Sequence, residues 1–212
     1  MRQIVISDLH LGSKNSRVKD ILSILELPAD IFILNGDIVD SVNFKRFREL
    51  DWNVLDKIRQ LASSDRAILV QGNHDTHLCS ATGIPVVPQV VIFLDACKWI
   101  VVHGDFFDPT LNWPVVADIA DWCYQTAQRI HKKSARLAKM LFKKHGGVIE
   151  AVQRGAIEFA KLHKCRGVIT GHTHFADDIW SGGIRYLNCG SWTESPSHYV
   201  DIIDHGIFLK QW

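Results

Sequence analysis

The chain has 212 residues, with 24 Lys and Arg against 23 Asp and Glu and a formal net charge of +1. A hydrophobic content of 47% with 22% charged residues describes a globular chain with a sizeable core and excludes a disordered or collagen-like one. No apolar run reaches the length of a membrane-spanning helix. Cys79, Cys97, Cys123, Cys165 and Cys189 form no CxxC pair, which fits a reduced, cytoplasmic protein rather than a disulfide framework.

The N-terminal MRQIVISDLHL lacks the layout of a signal peptide and enters a strand at once, over Arg2–Ser7. Helical spacing follows over Ser16–Leu25, then a buried strand over Ile31–Asn35. Phe44–Ala62 reads as one long amphipathic helix with Phe44, Phe47, Leu55, Ile58 and Leu61 on its core face. A third strand is expected over Ala67–Gln71. Continuous apolar strands alternating with helices predict a largely parallel sheet. Beyond residue 84, Val86–Leu94 and Lys98–His103 read as consecutive strands joined by an Asp95–Ala96 turn. Trp113 to His145 reads as mostly helical and stops at Gly146-Gly147. A helix over Val148–His163 leads to a strand over Gly167–Thr170. Short strands with turns at Ser181-Gly182-Gly183 and Asp204-His205-Gly206 complete the chain. The order predicts an α/β fold in four layers, a sandwich of two mixed sheets flanked by helices. It forms a single domain over 1–212 with a helical insertion at about 106–165.

Five of the expected strands each end in a polar loop: Asp8-Leu9-His10, Asn35-Gly36-Asp37, Gly72-Asn73-His74-Asp75, His103-Gly104-Asp105 and Gly171-His172-Thr173-His174. Open α/β sheets bind ligands at the carboxyl ends of their strands, so these loops are able to converge. Asp8, His10, Asp37, Asn73, His103, His172 and His174 make seven nitrogen or oxygen ligands, more than one tetrahedral ion uses. Two ions sharing a carboxylate would use them, with Asp37 as the natural bridge. Such a pair, roughly 3.5–4 Å apart, activates water and clamps a phosphoryl group. Four imidazoles favour Mn, Fe, Zn, Co or Ni over Mg and Ca, which prefer oxygen shells. Asn35 and Asp105 suit either turn-forming or supporting roles, and Asp40, His77 and His205 read as surface or structural residues.

The motifs DLH, NGD, GNHD, HGD and GHTH, in this order across residues 8 to 174, resemble the signature of the calcineurin-like metallophosphoesterases. The resemblance implies two sheets with two metals at one edge. One metal would be held by Asp8, His10, Asp37 and His174, the other by Asp37, Asn73, His103 and His172. It also implies that His74 assists the phosphate or protonates the leaving oxygen, with Asn73 beside it in the catalytic loop and Asp75 orienting the His74 ring.

HKKSARLAKMLFKKH, from His131 to His145, concentrates the positive charge. Seven of the 24 basic residues lie between Arg129 and Lys144, and no Asp or Glu occurs from Cys123 to Ile149. On a helix, Lys132, Arg136, Lys139 and Lys143 form one stripe, nearly opposite Ile130, Ser134, Leu137 and Leu141. Trp113, Trp122 and Tyr124 precede it. Such a face suits nucleic acid, an anionic membrane contacted peripherally, or a wall over a substrate with phosphate and acyl groups; a solvated face is the bland alternative. The inserted segment and the tail Tyr186–Ser195 (YLNCGSWTES) are similar to the UDP-2,3-diacylglucosamine pyrophosphatase branch, which cleaves a lipid A precursor at the inner membrane face, commonly with Mn. This chain departs from some of that branch in carrying His74 where they have Arg. Trp192 and Glu194 suit either the site or a core Trp with a surface Glu. The expected activity is hydrolysis of a nucleotide-sugar lipid pyrophosphate to UMP and a lipid monophosphate. The alternatives are a phosphodiesterase for cyclic nucleotides or nucleic acid, and a non-catalytic scaffold, which has no need of seven ligands.

Overall fold

The computed structural model describes residues 1–112 and 147–212. Eleven strands among them form two sheets. The first has the order β11-β10-β1-β2-β3-β4 and the second β5-β6-β7-β9-β8. In the first, β1 (Gln3–Ile6), β2 (Ile31–Asn35), β3 (Ala67–Val70) and β4 (Val86–Val87) run parallel; β10 (His198–Ile203) and β11 (Gly206–Gln211) add an antiparallel hairpin. In the second, β6 (Cys97–Val101), β7 (Gly167–Thr170) and β9 (Ile184–Asn188) are parallel. Its edges are the antiparallel β5 (Val90–Leu94) and β8 (Asp177–Ser181).

Three apolar clusters account for the layering. Alternate side chains of β1 point to opposite faces. Ile4 and Ile6 pack with α1 (Val18–Ile24) and α2 (Glu49–Ser63), whereas Val5 meets Val101, Ile169 and Leu187 of the other sheet. A third cluster joins Ile100, Val168 and Tyr186 to Ala156, Ile157 and Ala160 of the last helix (Val148–Leu162). The result is helices, sheet, sheet, helix, the expected four-layer order. Each fully buried Val, Leu or Ile contributes about 1.5–3 kcal/mol through apolar burial.

Two element boundaries differ from expectation. The run from Phe44 is not one helix: a 3-10 turn spans Phe44–Arg46, Phe47 is extended, and α2 starts at Glu49. The Asp51 carboxylate accepts from the backbone of Arg48 at 2.8 Å and of Gly12 at 3.0 Å, so the helix start is set by a buried acid rather than by apolar period. Leu55, Ile58 and Leu61 are buried as expected, while Phe44 and Phe47 are only partly covered. Val86–Leu94 is also not one strand. It breaks at Pro88-Gln89, and β4 and β5 belong to different sheets. Proline lacks the N–H that a continuing ladder requires.

The turns at Asp95–Ala96 and Gly182–Gly183 fall where expected, with positive φ at both central residues, the form that matches strand twist. The basic stretch from His131 to His145, with Lys132, Arg136, Lys139 and Lys143, lies outside the described residues, as do Trp113, Trp122, Tyr124 and Cys123. Among the described residues no helix is long and apolar enough to cross a membrane.

Candidate active site

The ends of β1, β2, β3, β6 and β7 deliver the five polar loops to one edge of the sandwich. The loops are tied together before any side chain enters. Asp8 N–H donates to the Gly36 carbonyl at 3.0 Å and His10 N–H to the Asp37 carbonyl at 2.9 Å. Asn35 bridges the sheets, donating from Nδ2 to the Val102 carbonyl at 3.0 Å. Gly36 and Gly171 are needed for close approach. A Cβ on Gly36 would strike the His103 ring, and one on Gly171 would strike Ser7 and the Asp8 carboxylate.

Asp8, His10, Asp37, His172 and His174 all have φ between 46° and 63°. They are five of the ten non-glycine residues in this left-handed region among those described. Asp and His tolerate it better than most residues, but the strain is held in place by the surrounding loops.

The two carboxylates share one design. Asp8 Oδ2 accepts from Ser7 Oγ and from the His172 N–H at 3.0 Å, leaving Oδ1 facing His174 Nε2 at 3.1 Å and His10 Nε2 at 3.8 Å. Asp37 Oδ1 accepts from the His74 N–H at 3.0 Å, leaving Oδ2 facing His103 Nε2 at 3.4 Å and His10 Nε2 at 3.7 Å. One oxygen of each is anchored and the other points inward. Their ligand-bearing atoms gather in two disjoint groups, Asp8–His10–His174 and Asp37–His103–His172, each with its atoms within 4.8 Å of one another. A third group, His10–Asp37–His74, overlaps the first two and places Asp37 between them.

Asp8 Oδ1, Asn73 Oδ1 and His103 Nε2 are buried and make no hydrogen bond among the described residues. His10 Nε2 and His174 Nε2 lie 3.2 Å apart. Oxygen and nitrogen atoms gathered in this way form a donor set that fits a cation. The electrostatics agree. Burial alone would lower the His103 imidazole, yet the charges of Asp37 and Asp8 hold it up to about 10. Burial likewise disfavours the Asp37 carboxylate, and the His103 and His10 rings outweigh it and hold its pKa below the usual range. The pocket's field calls for positive charge, carried either by protons or by metal ions.

The remaining expected residues divide. His103 donates from Nδ1 to the Asn35 carbonyl at 2.8 Å, which leaves Nε2 as its inward acceptor. His74 is the partly exposed member: its Nδ1 donates to the Asp40 carbonyl at 2.9 Å, and its Nε2 is 3.9 Å from Asp37 Oδ2. Asp75 does not orient the His74 ring. Its carboxylate accepts from the N–H groups of Ile38, Val39 and Gly72, bracing the second loop against the third. Burial and the Asp37 charge push its pKa up to about 6. Asn35 proves to be a strut between sheets. Trp192 is a core residue packed with Leu9 and Tyr199, and Glu194 lines a small basin beside His174.

Two residues are added to those foreseen. Asp108 is buried and its Oδ2 lies 2.8 Å from His172 Nε2, while its Oδ1 accepts from Thr110 N and Oγ1 at 2.8 and 2.6 Å. Asp40, expected to be a surface or structural residue, places Oδ1 3.6 Å from His10 Nδ1 and pairs with Arg46 at 2.6 Å. Asp108 closes the string HGDFFD, a carboxylate five residues beyond His103, and that spacing was its only signal.

A two-sheet sandwich that collects Asp, Asn and His at one edge is the architecture of a metal-dependent phosphoester hydrolase. The calcineurin-like phosphoesterase superfamily domain matches residues 1–202, and the chain belongs to that family. No curated protein matches the sequence. Among solved structures, a Vps29 variant from Entamoeba histolytica is similar with a TM-score of 0.58 at 18% identity, covering 100% of this chain and 92% of the other. The phosphoesterase Yfce from E. coli gives 0.52 at 17%, covering 100% and 98%. An archaeal phosphodiesterase gives 0.51 at 14%, covering 100% of both chains. At these identities the likeness is one of fold.

Proposed function

We propose that this hydrolase uses a dinuclear centre to cleave the pyrophosphate of UDP-2,3-diacylglucosamine or a similar nucleotide-sugar lipid, releasing UMP and a lipid monophosphate. The observation that carries the dinuclear reading is the pair of disjoint ligand groups with the inward Asp37 Oδ2 between them. Asp8, His10, Asp37 and His174 would hold one ion, and Asp37, Asn73, His103 and His172 the other. Mn is our choice, and Fe, Zn, Co and Ni suit the same nitrogen-rich set. Bound ions supply Lewis-acid polarisation of a phosphoryl oxygen and a nucleophile at neutral pH.

The protein groups do the rest. Asp108 Oδ2, 2.8 Å from His172 Nε2, orients that ring. The Asp40 carbonyl fixes the proton of His74 on Nδ1, so Nε2 faces the cleft. A second proton there, on the imidazolium, is positioned for transfer to the leaving oxygen. Asp75 acts on the loop backbones that carry Asp37 and Asn73. The lipid half of the reading rests on the YLNCGSWTES tail and on the stripe of Lys132, Arg136, Lys139 and Lys143, which suits a phosphate- and acyl-bearing substrate at an anionic membrane.

The test is turnover of two substrates by the Mn-loaded protein: UDP-2,3-diacylglucosamine and bis-p-nitrophenyl phosphate. Cleavage of the lipid to UMP supports the proposal. Cleavage of the diester alone leaves a phosphodiesterase, and cleavage of neither removes the hydrolase reading.

A further inference from the structure

The tail YLNCGSWTES supplies none of the seven ligand residues, yet one of its side chains reaches the loop that carries two of them. Tyr186 and Asn188 lie on β9, in parallel register with Val168 and Thr170 of β7. The period of two puts Asn188 on the same face as Tyr186, and Thr170 on the same face as Val168. Asn188 is the last residue of its strand, so it stands beside the point where β7 gives way to the fifth loop, Gly171 to His174.

Asn188 is fully buried. Its amide has a definite sense: Oδ1 accepts from the Gly190 N–H at 2.9 Å, which turns Nδ2 toward the fifth loop. Its two amide protons have four oxygens in range. The Gly171 carbonyl is nearest at 2.7 Å, with Thr170 Oγ1, Thr173 Oγ1 and the Tyr186 hydroxyl at 3.1 Å each. The Gly171 carbonyl also accepts from the Thr173 N–H at 2.7 Å, closing a three-residue turn around His172, whose φ is 63°. A turn of this kind with positive φ is rare and strained.

Such strain persists only where neighbouring groups over-determine the backbone. Three groups do so here. The Asp8 carboxylate takes the His172 N–H at 3.0 Å, the His103 carbonyl takes the Gly171 N–H at 2.9 Å, and Asn188 holds the Gly171 carbonyl. Asp8 and His103 are themselves ligand residues; Asn188 is not, and it acts from outside the five loops. The turn it holds governs two imidazoles at once, since His172 falls in the group of Asp37 and His103, and His174 in the group of Asp8 and His10.

We infer that Asn188 is a positioning residue for the metal centre, whose amide holds the strained turn at His172 and so sets one imidazole of each ion. The inference rests on the dinuclear reading above and gives the tail a role behind the ligands.

Asn188→Asp tests it, because it keeps the side-chain shape and the Gly190 contact while removing both donors. In a chelator competition both Mn ions are expected to bind about 10-fold or more weakly, the scale of losing a partner behind a metal ligand. Tyr186→Phe is the control. It deletes a hydroxyl from the same buried network and leaves the Gly171 bond, so its urea midpoint should fall while Mn affinity stays within about twofold. Equal losses of Mn affinity in the two variants, or none in Asn188→Asp, would make the amide merely structural and overturn the inference. Weakening of one ion alone overturns the role in setting both imidazoles. If Asn188→Asp does not fold, the unaltered chain decides. In nuclear magnetic resonance of the isotope-labelled full chain titrated with Zn, the Asn188 side-chain amide is expected to shift together with the Thr173 N–H, and an amide that stays unmoved refutes the positioning role. Failure of the unaltered chain to bind Mn is a separate result, which removes the dinuclear reading and this inference with it.

Discussion

Asp201 on β10 and Asp8 at the end of β1 come from neighbouring strands, and both are shut away from water. Asp201 is met by Arg2 through Nε and Nη2 at 2.9 Å each and by Lys210 Nζ at 2.8 Å. Asp8 and Asp37 pair with no Lys or Arg among the described residues; their inward oxygens face imidazoles instead. The contrast separates a buried charge that the chain neutralises by itself from one left for a foreign cation. Guanidinium never gives up its proton and ammonium seldom does, so a site lined with them stays closed to metals. An imidazole releases its proton and turns the same nitrogen into a ligand.

The largest test removes the shared carboxylate. Asp37→Ala is expected to lower turnover of bis-p-nitrophenyl phosphate by about 10³-fold, the scale of losing one dominant electrostatic group. Metal content by mass spectrometry should fall with it, and a variant with full content and activity would end the shared-ligand scheme. Next come the residues behind the ligands. Asp108→Asn should weaken metal affinity by about 10–100-fold in a chelator competition. Asp40→Asn should lie at or below the low end of that range, because its oxygen is farther from His10 and already committed to Arg46. The reverse order would mean that His172 is not the more dependent ligand.

Asp201→Asn sharpens the comparison from the other side. It should leave metal content and turnover intact while costing about 1–2 kcal/mol in urea unfolding, since its partners are partly exposed. Its pH dependence has a definite sign. Burial alone would raise the Asp201 pKa, but Arg2 and Lys210 outweigh it and hold it below the usual range. The stabilisation is therefore fully present above the unfolded carboxyl pKa and is lost as pH falls through the folded one. The gap between the original chain and Asp201→Asn should be constant near neutrality and shrink below about pH 4. A gap that grows on acidification would contradict this.

Much of the site was legible because its residues are local to strand ends. DLH, NGD, GNHD, HGD and GHTH each follow a run whose apolar character announces a buried strand, and the five loops do converge. The partners behind the ligands were not legible. Asp108 reaches His172 across 64 positions, and Asp75 reaches Ile38 across 37, through loop packing that no period encodes. The break at Arg48 was hidden for a related reason. Asp51 looks like an ordinary polar helix residue until Gly12 and Arg48 are seen to donate to it. Pro88, by contrast, is a visible signal against one continuous strand.

The left-handed backbone at Asp8, His10, Asp37, His172 and His174 sets two kinds of selection against each other. Glycine would relieve the conformation at all five positions, while the proposed metal centre requires Asp or His there. A mutational map scored for cellular abundance should rank glycine among the best tolerated residues at these positions, and the same map scored for turnover should reject it. Five positions at which the two rankings diverge would outline the proposed metal centre from genetics alone.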